Sequence, residues 1–189
     1  MRYRQKGRSP CGEGKLKIEV VHSKLLSELK RKRIVSFCSR AYDEDMEPVF
    51  STFADATHVL GFYGGSLASH ALWITRDLQV DHLPPLRTAY VEAVATHPAH
   101  RNRGFATAIM RRLAIEIQGF DLAALSPFDV RYYTRLGWEV WQGPLLIRTR
   151  NGLQPSPEDE VVMILRLPKT PALDLTRPLS AEWREGELW

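Results

Sequence analysis

The chain has 189 residues, 44% of them hydrophobic and 25% charged, with a formal net charge of +4. That size suits one domain with a substantial core and excludes two ordinary ones; no apolar run approaches the roughly 20 residues of a membrane helix, and the basic start lacks the apolar stretch of a secretory signal, so a cytoplasmic protein is expected. Residues 1–33 carry 11 Lys or Arg against 3 acids and the remainder 15 against 19, an acidic body that would attract a cationic small molecule rather than nucleic acid or membrane.

Residues 1–14 hold Gly7, Pro10, Gly12 and Gly14 among charges and are expected to form a flexible basic arm, with residues 15–189 as one domain. Lys15–His22 alternates as a first strand, and 23–42 places Leu25, Leu26, Leu29, Ile34, Val35 and Cys38 at helical spacing after a Ser23 cap. His58–Tyr63 and Ser66–Ile74 read as strands joined by Gly64-Gly65, because paired glycines supply the positive φ of a short hairpin. A looser segment with Asp77, Asp81 and Pro84-Pro85 leads to Arg87–Thr96, which suits a buried central strand. A helix is expected from about Gly104 to Gln118, with Ile109, Leu113, Ile115 and Ile117 on its apolar side. Asp121–Leu125 reads as a short strand, Pro127–Leu136 as a helix, Trp138–Trp141 as the start of a strand and Val161–Leu167 as a last one. The sum is an α/β chain with a mixed sheet. From Pro171 no period is clear, yet Trp183 and Trp189 make the end too apolar for a solvated terminus, so it is expected to dock on the domain.

Cys11 and Cys38 are the only cysteines, which leaves neither a disulfide framework nor a CxxC zinc site. His22, His58, His70 and His82 share no metal-ligand spacing, His97 and His100 read as a polar turn, and no metal is expected.

The strongest chemical motif is Arg101-Asn102-Arg103-Gly104-Phe105-Ala106, set between a predicted strand and a predicted helix. A glycine-bearing turn lets backbone N–H groups approach a pyrophosphate, the helix start adds its positive end, and the arginines add charge-assisted contacts. Glu92 lies inside the apolar strand Tyr90–Ala95, where an unpartnered carboxylate would be costly. It reads either as a general base that frees an amine of its proton or as half of a structural ion pair.

Val91–Ala106 resembles the acetyl-CoA motif of the GNAT superfamily, running through Thr96-His97-Pro98 into the phosphate loop. The resemblance implies the GNAT acyl-CoA N-acyltransferase fold with splayed central strands. It also implies that Val94, Ala95 and Thr96 hold the pantetheine arm and that 101–106 hold the pyrophosphate of acetyl-CoA. Tyr133-Thr134-Arg135-Leu136-Gly137-Trp138 resembles the superfamily's helix tyrosine followed by leucine, glycine and an aromatic, which makes Tyr133 the expected acid for the departing thiolate. A phenol of pKa about 10 is a workable donor to a thiolate of about 8.5.

Over about residues 41–189 the chain is similar more narrowly to the aminoglycoside 2'-N-acetyltransferases. The matching segments are Tyr90-Val91-Glu92-Ala93, Ala124-Leu125-Ser126, residues 136–144, the acidic Pro157-Glu158-Asp159-Glu160 loop and the terminal stretch 183–189. This likeness implies a drug pocket formed by Glu44, Asp45, Glu92, Ala93, Ser126, Glu158, Asp159, Glu187 and Trp189, and a homodimer. A second acid of the family's pocket falls here on Val49. The expected function is acetyl transfer from acetyl-CoA to a primary amine, the 2'-amine of an aminoglycoside first. A polyamine, an amino sugar or a protein amine is the enzymatic alternative, and a non-catalytic CoA-binding module the alternative of another class.

Overall fold

The computed structural model describes residues 14–53, 55–157, 159–185 and 189; nearly all of the expected basic arm lies outside the described residues. β1 (Lys17–His22) pairs antiparallel along its full length with β2 (Thr57–Tyr63), and β2 turns through Gly64 and Gly65, at φ +58° and +82°, into β3 (Ser66–Val80). Between β1 and β2 lie α1 (Glu28–Tyr42) and the short α2 (Glu47–Ser51). Ser23 does not cap α1. Residues 23–25 make one 3-10 turn, Leu26 is extended, and the Ser27 hydroxyl caps the helix by accepting from the Lys30 amide. The later start turns Leu25 and Leu29 to solvent, at 79% and 61% exposure, and leaves Ile34, Val35, Phe37 and Cys38 as the buried stripe.

β3 runs past the expected end at Ile74 to Val80, so the looser segment around Asp77 is strand, with Asp77 opposite Arg87. β3 is long enough to take two partners on one edge: β2 covers its first part, and β10 (Leu179–Glu182) covers Gln79 and Val80. On its other edge lies β4 (Leu86–Thr96). Then follow α3 (Phe105–Glu116), β5 (Leu122–Leu125), α4 (Val130–Thr134), β6 (Glu139–Val140), the hairpin β7 (Leu145–Thr149) and β8 (Gly152–Pro155), and β9 (Met163–Arg166). The sheet order is β6-β9-β5-β4-β3-β10-β7-β8, with β2 and β1 added beside β3. β4 with β5 and β10 with β7 are parallel, the other pairs antiparallel, which makes this the expected mixed α/β sheet.

The two helix pairs cover opposite faces, as two-sided burial of central strands requires. α3 sets Ile109, Met110 and Leu113 against Val59, Ala71, Ala89 and Val91, while Ile115, expected on that side, points to solvent at 67% exposure. α1 and α2 cover Leu60, Leu72, Ala93 and Ala95 from the other face. A third apolar cluster joins Tyr90, Leu122 and Ile164 to Ile147, Leu179 and Trp189, so the C-terminal segment completes the core. Arg76, almost fully buried, fixes β10 by donating from Nη2 to the Glu182 carbonyl at 2.8 Å and from Nε to its carboxylate at 3.1 Å. Trp183, in contrast, stays largely exposed. No helix among the described residues is long and apolar enough to cross a membrane.

Candidate active site

β4 and β5 are the parallel neighbours at the centre of the sheet, and they pair only over Thr88–Tyr90 and Leu122–Ala124. Beyond Tyr90, β4 continues to Thr96 with no partner on that edge among the described residues. The two strands therefore part at their C-terminal ends, where open α/β sheets place ligands. A β-bulge marks the same point: His70 pairs with Ala95 and Leu72 with Glu92, so Ala93 and Val94 together oppose Ala71. Ala93 takes φ 50°, a left-handed conformation uncommon outside glycine. The bulged carbonyls are engaged: His70 Nδ1 lies 2.8 Å from the Ala93 oxygen, and Tyr42 Oη donates to the Val94 oxygen at 3.1 Å. The next carbonyl, of Ala95, accepts from Ser69 Oγ at 3.0 Å, and the Thr96 hydroxyl also meets Ser69.

A cavity of about 160 Å³ opens at this splay. Glu92, Ala93 and Val94 of β4, Ser126 just past β5, Tyr133 of α4, Glu44 after α1 and the terminal Trp189 all line it. Five stretches far apart in sequence thus deliver seven of the expected site residues to one place. Met46, Val49, Phe53 and the fully exposed Phe128 supply apolar walls. Glu92 is ion-paired: Arg184 Nη2 reaches its Oε1 at 2.5 Å, with side chains only 12% and 16% exposed. The structure thus shows the ion pair that one expected reading of this glutamate called for, in a residue that also lines the cavity. Tyr133 is buried, which pushes its phenol above the usual range, with Tyr132 and Asp129 adding to the rise. Asp129 caps α4 by accepting from the Arg131 and Tyr132 amides, which sets the helix that carries Tyr133.

Residues 101–106 sit between the end of β4 and the start of α3, the strand-to-helix setting expected for them. Asn102 and Gly104 take φ 61° and 76°, and Gly104 caps α3 with no side-chain bond, which leaves the first-turn amides directed outward. Arg101, Asn102, Arg103 and Gly104 are exposed, Ala106 is half-buried, and Phe105 is buried. Arg103 donates to Tyr63 Oη at 2.9 Å and lies 4.4 Å over its ring, while Arg101 donates to the Ala41 carbonyl at 3.2 Å. An open helix start with two flanking guanidinium groups fits a pyrophosphate.

Other expected site residues fall elsewhere. Asp45 points its carboxylate at the Glu47 amide, where it serves α2, and neither it nor the exposed Asp159 lines the cavity. Glu158 and Glu187 lie outside the described residues. The acidic loop is nonetheless tied to the tail, because Trp189 Nε1 donates to Ser156 Oγ at 2.8 Å. Arg184 and Tyr42 were not expected at the site. Arg184 stands within the matching terminal stretch, so its signal was present; Tyr42 is one aromatic at a helix end, and nothing in its surroundings points 52 residues ahead to Val94. Among the described residues no group of three or more His, Cys, Asp or Glu could hold a metal ion.

Comparison with known proteins identifies the family. Residues 22–141 match the acetyltransferase (GNAT) domain family. The chain is 32% identical over 182 residues to an aminoglycoside 2'-N-acetyltransferase of Mycolicibacterium fortuitum, covering 90% of each. Among solved structures it is similar to a GNAT-family N-acetyltransferase (YhbS) of Escherichia coli in complex with CoA, with TM-score 0.60, 14% identity and 95% and 94% of the two chains covered. It is also similar to Eis1 of Mycobacterium abscessus, with TM-score 0.57 and 21% identity, where the match takes in 68% of this chain and 33% of that one. With the splayed strands, the open helix start and a family match over well over half its length, the chain belongs to the GNAT acetyltransferase family and is an N-acetyltransferase.

Proposed function

We propose that the chain moves the acetyl group of acetyl-CoA to a primary amine of a cationic small molecule, the 2'-amine of an aminoglycoside. The observation that carries this reading is the cavity at the β4–β5 splay, which joins Glu44, Glu92, Ser126, Tyr133 and Trp189; the M. fortuitum relative supplies the acceptor class. Bound acetyl-CoA would supply a thioester carbonyl as electrophile. The outward amides at the start of α3, with Arg101 and Arg103, would hold its pyrophosphate, and the unpaired edge of β4 from Val94 to Thr96 its pantetheine arm.

An ammonium has no lone pair, so the acceptor must lose a proton before its nitrogen forms the C–N bond. Glu92 takes that proton, directly or through water, while Glu44 adds a second negative group to the wall. A carboxylate shared with Arg184 is held in one orientation and is ready as an anion. Tyr133 keeps its phenolic proton across the neutral range and delivers it to sulfur as the C–S bond breaks. No covalent enzyme intermediate is expected, since the one described cysteine, Cys38, is buried beneath the sheet with its thiol pushed up by burial.

The test is release of free thiol from acetyl-CoA with aminoglycosides that carry or lack a 2'-amine, beside polyamines, amino sugars and a lysine peptide. Turnover confined to 2'-amino drugs is the expected outcome. Turnover with another amine would move the acceptor, and CoA binding without turnover on any amine would sink the catalytic assignment of Glu92 and Tyr133.

A further inference from the structure

Two buried histidines lie directly behind the bulge. His58 Nδ1 is 3.0 Å from His70 Nε2, and His70 Nδ1 is 2.8 Å from the Ala93 carbonyl oxygen. They come from neighbouring strands, where Leu60 opposes His70 and His58 opposes Leu72, so the pair is the diagonal of the β2–β3 hairpin. Phe50 covers both rings from α2, at 6.3 Å and 6.0 Å between centroids.

The acceptors fix the protons. A carbonyl oxygen only accepts, so His70 must carry its proton on Nδ1, which leaves Nε2 bare to accept from an Nδ1–H of His58. This holds only while His70 is neutral, since a second proton would occupy the Nε2 that accepts. Burial pushes His58 down to about 4 and His70 down to about 3. The charged or titratable groups turned toward them oppose protonation or stay neutral: Lys30 and Arg31 of α1 and His22 of β1 bear on His58, and the Cys38 thiol of α1 lies 3.4 Å from His70 Nδ1.

We propose that His58 and His70 are positioning residues for acyl transfer: the chain His58 to His70 to the Ala93 carbonyl pins the bulge that aims Glu92 and Val94 at the cavity. The chain ends on a backbone carbonyl, which passes no proton on, so its role is geometric rather than a relay. Ala93 holds φ 50° between the two residues that line the cavity on either side, and the His70 bond locks the peptide that follows it. If His58 loses its donor, His70 is free to change tautomer and the bulge loses its anchor. A misplacement of reacting groups by about 1 Å costs on the order of a hundredfold in rate. The consequence for rate rests on the acetyltransferase reading; the proton assignment does not.

The experiment is 15N NMR of the imidazole nitrogens in the whole protein, together with His58→Leu and His58→Asn. Asparagine places an N–H where His58 Nδ1 stands. Both rings should show the Nδ1–H tautomer, unchanged from pH 8 to pH 5. His58→Leu should shift the amides of Glu92 to Ala95 and lower kcat at least about tenfold, a larger change than in KM for acetyl-CoA, and His58→Asn should recover most of both. An Nε2–H tautomer at His70, titration of either ring near pH 6.5, or bulge amides unmoved in His58→Leu would each overturn the proposal. If His58→Leu does not fold, the tautomers of the native protein decide. If no amine is turned over, the rate arm falls with the proposed function, and the tautomers and bulge amides decide alone.

Discussion

Glu92 shows how one side chain meets two demands. A carboxylate in an apolar strand needs a partner to remain charged, and Arg184 meets it from the C-terminal segment, 92 residues away. The same carboxylate lines the cavity where an ammonium would arrive. Replacing Glu92 with Gln keeps the shape and removes both the proposed base and the charge that Arg184 pairs with. Turnover should fall about a hundredfold, the typical worth of a positioned acid or base, and urea unfolding should show a loss of about 1.5–3 kcal/mol, the range of a hydrogen bond to a charged group. Unchanged stability would mean that the pair is not held in solution. Tyr133→Phe separates the acid from the base, for it should slow thiol release by a similar factor. Because burial raises the Tyr133 phenol, the acid form persists as pH rises, and the native enzyme should show no alkaline fall in kcat from this group below pH 10. An alkaline limb near pH 9 that vanishes in Tyr133→Phe would contradict the assignment.

At the scale of elements, the sequence was legible where local chemistry decided structure. The Gly64-Gly65 hairpin, the buried strand ending at Thr96, the turn through Asn102 and Gly104 and α3 stand where they were expected, because positive-φ turns and 3.6- or 2-residue periods are written in neighbouring residues. β7, β8, β10 and α2 were not anticipated. β7 and β8 turn through Arg150 and Asn151, and β8 opens on Gly152 at φ 105°, so the Asn151-Gly152 pair was an unused turn signal. β10 had no local signal: its four residues are strand because β3 and β7 offer edges on either side. The extension of β3 through Arg76 and Asp77 has the same origin, since the distant Glu182 helps make a buried Arg76 acceptable. Similarly, Leu25 and Leu29 fitted a helical period that the Ser27 cap then placed outside the core.

That docking is tight enough to test. A Cβ built on Gly143 would lie 2.1 Å from the Arg177 carbonyl oxygen and 2.6 Å from that of Thr176, both backbone atoms that cannot swing aside. Trp141 Nε1 donates to that Arg177 oxygen at 2.9 Å, and the Gly143 amide donates to Leu175. Gly143→Ala should therefore push the segment ahead of β10 off the sheet and destabilise the protein by about 1–3 kcal/mol or more. Gly119→Ala, where a Cβ meets nothing within 4 Å, should be near neutral. Equal denaturation midpoints for the two variants would show that the segment is looser than its packing indicates.

For the whole molecule, the cavity belongs to no single stretch of chain. α1 and α2 form one wall, the parted strands the floor, α4 another wall, and Trp189 closes the side while holding Ser156, just ahead of the acidic loop. The site residues were legible as types and order, but their meeting point was not, because it depends on how far β4 and β5 part and on where the tail threads.

The same architecture buries His58 and His70 in neutral form beneath the site, and this makes the global fold sensitive to acid. Unfolded, each histidine titrates near 6.5; folded, they are held down to about 4 and about 3. The unfolded chain therefore binds protons first as pH falls. Stability from these groups is complete well above pH 6.5 and is lost progressively from there down to about pH 4 for His58 and about pH 3 for His70. The urea midpoint should accordingly drop from pH 7.5 to pH 5, and His58→Leu, though less stable at pH 7.5, should show a shallower drop because one of the two proton acceptors is gone. Parallel pH dependences for the native protein and the variant would place the acid sensitivity elsewhere, in carboxylates rather than in the histidines behind the bulge.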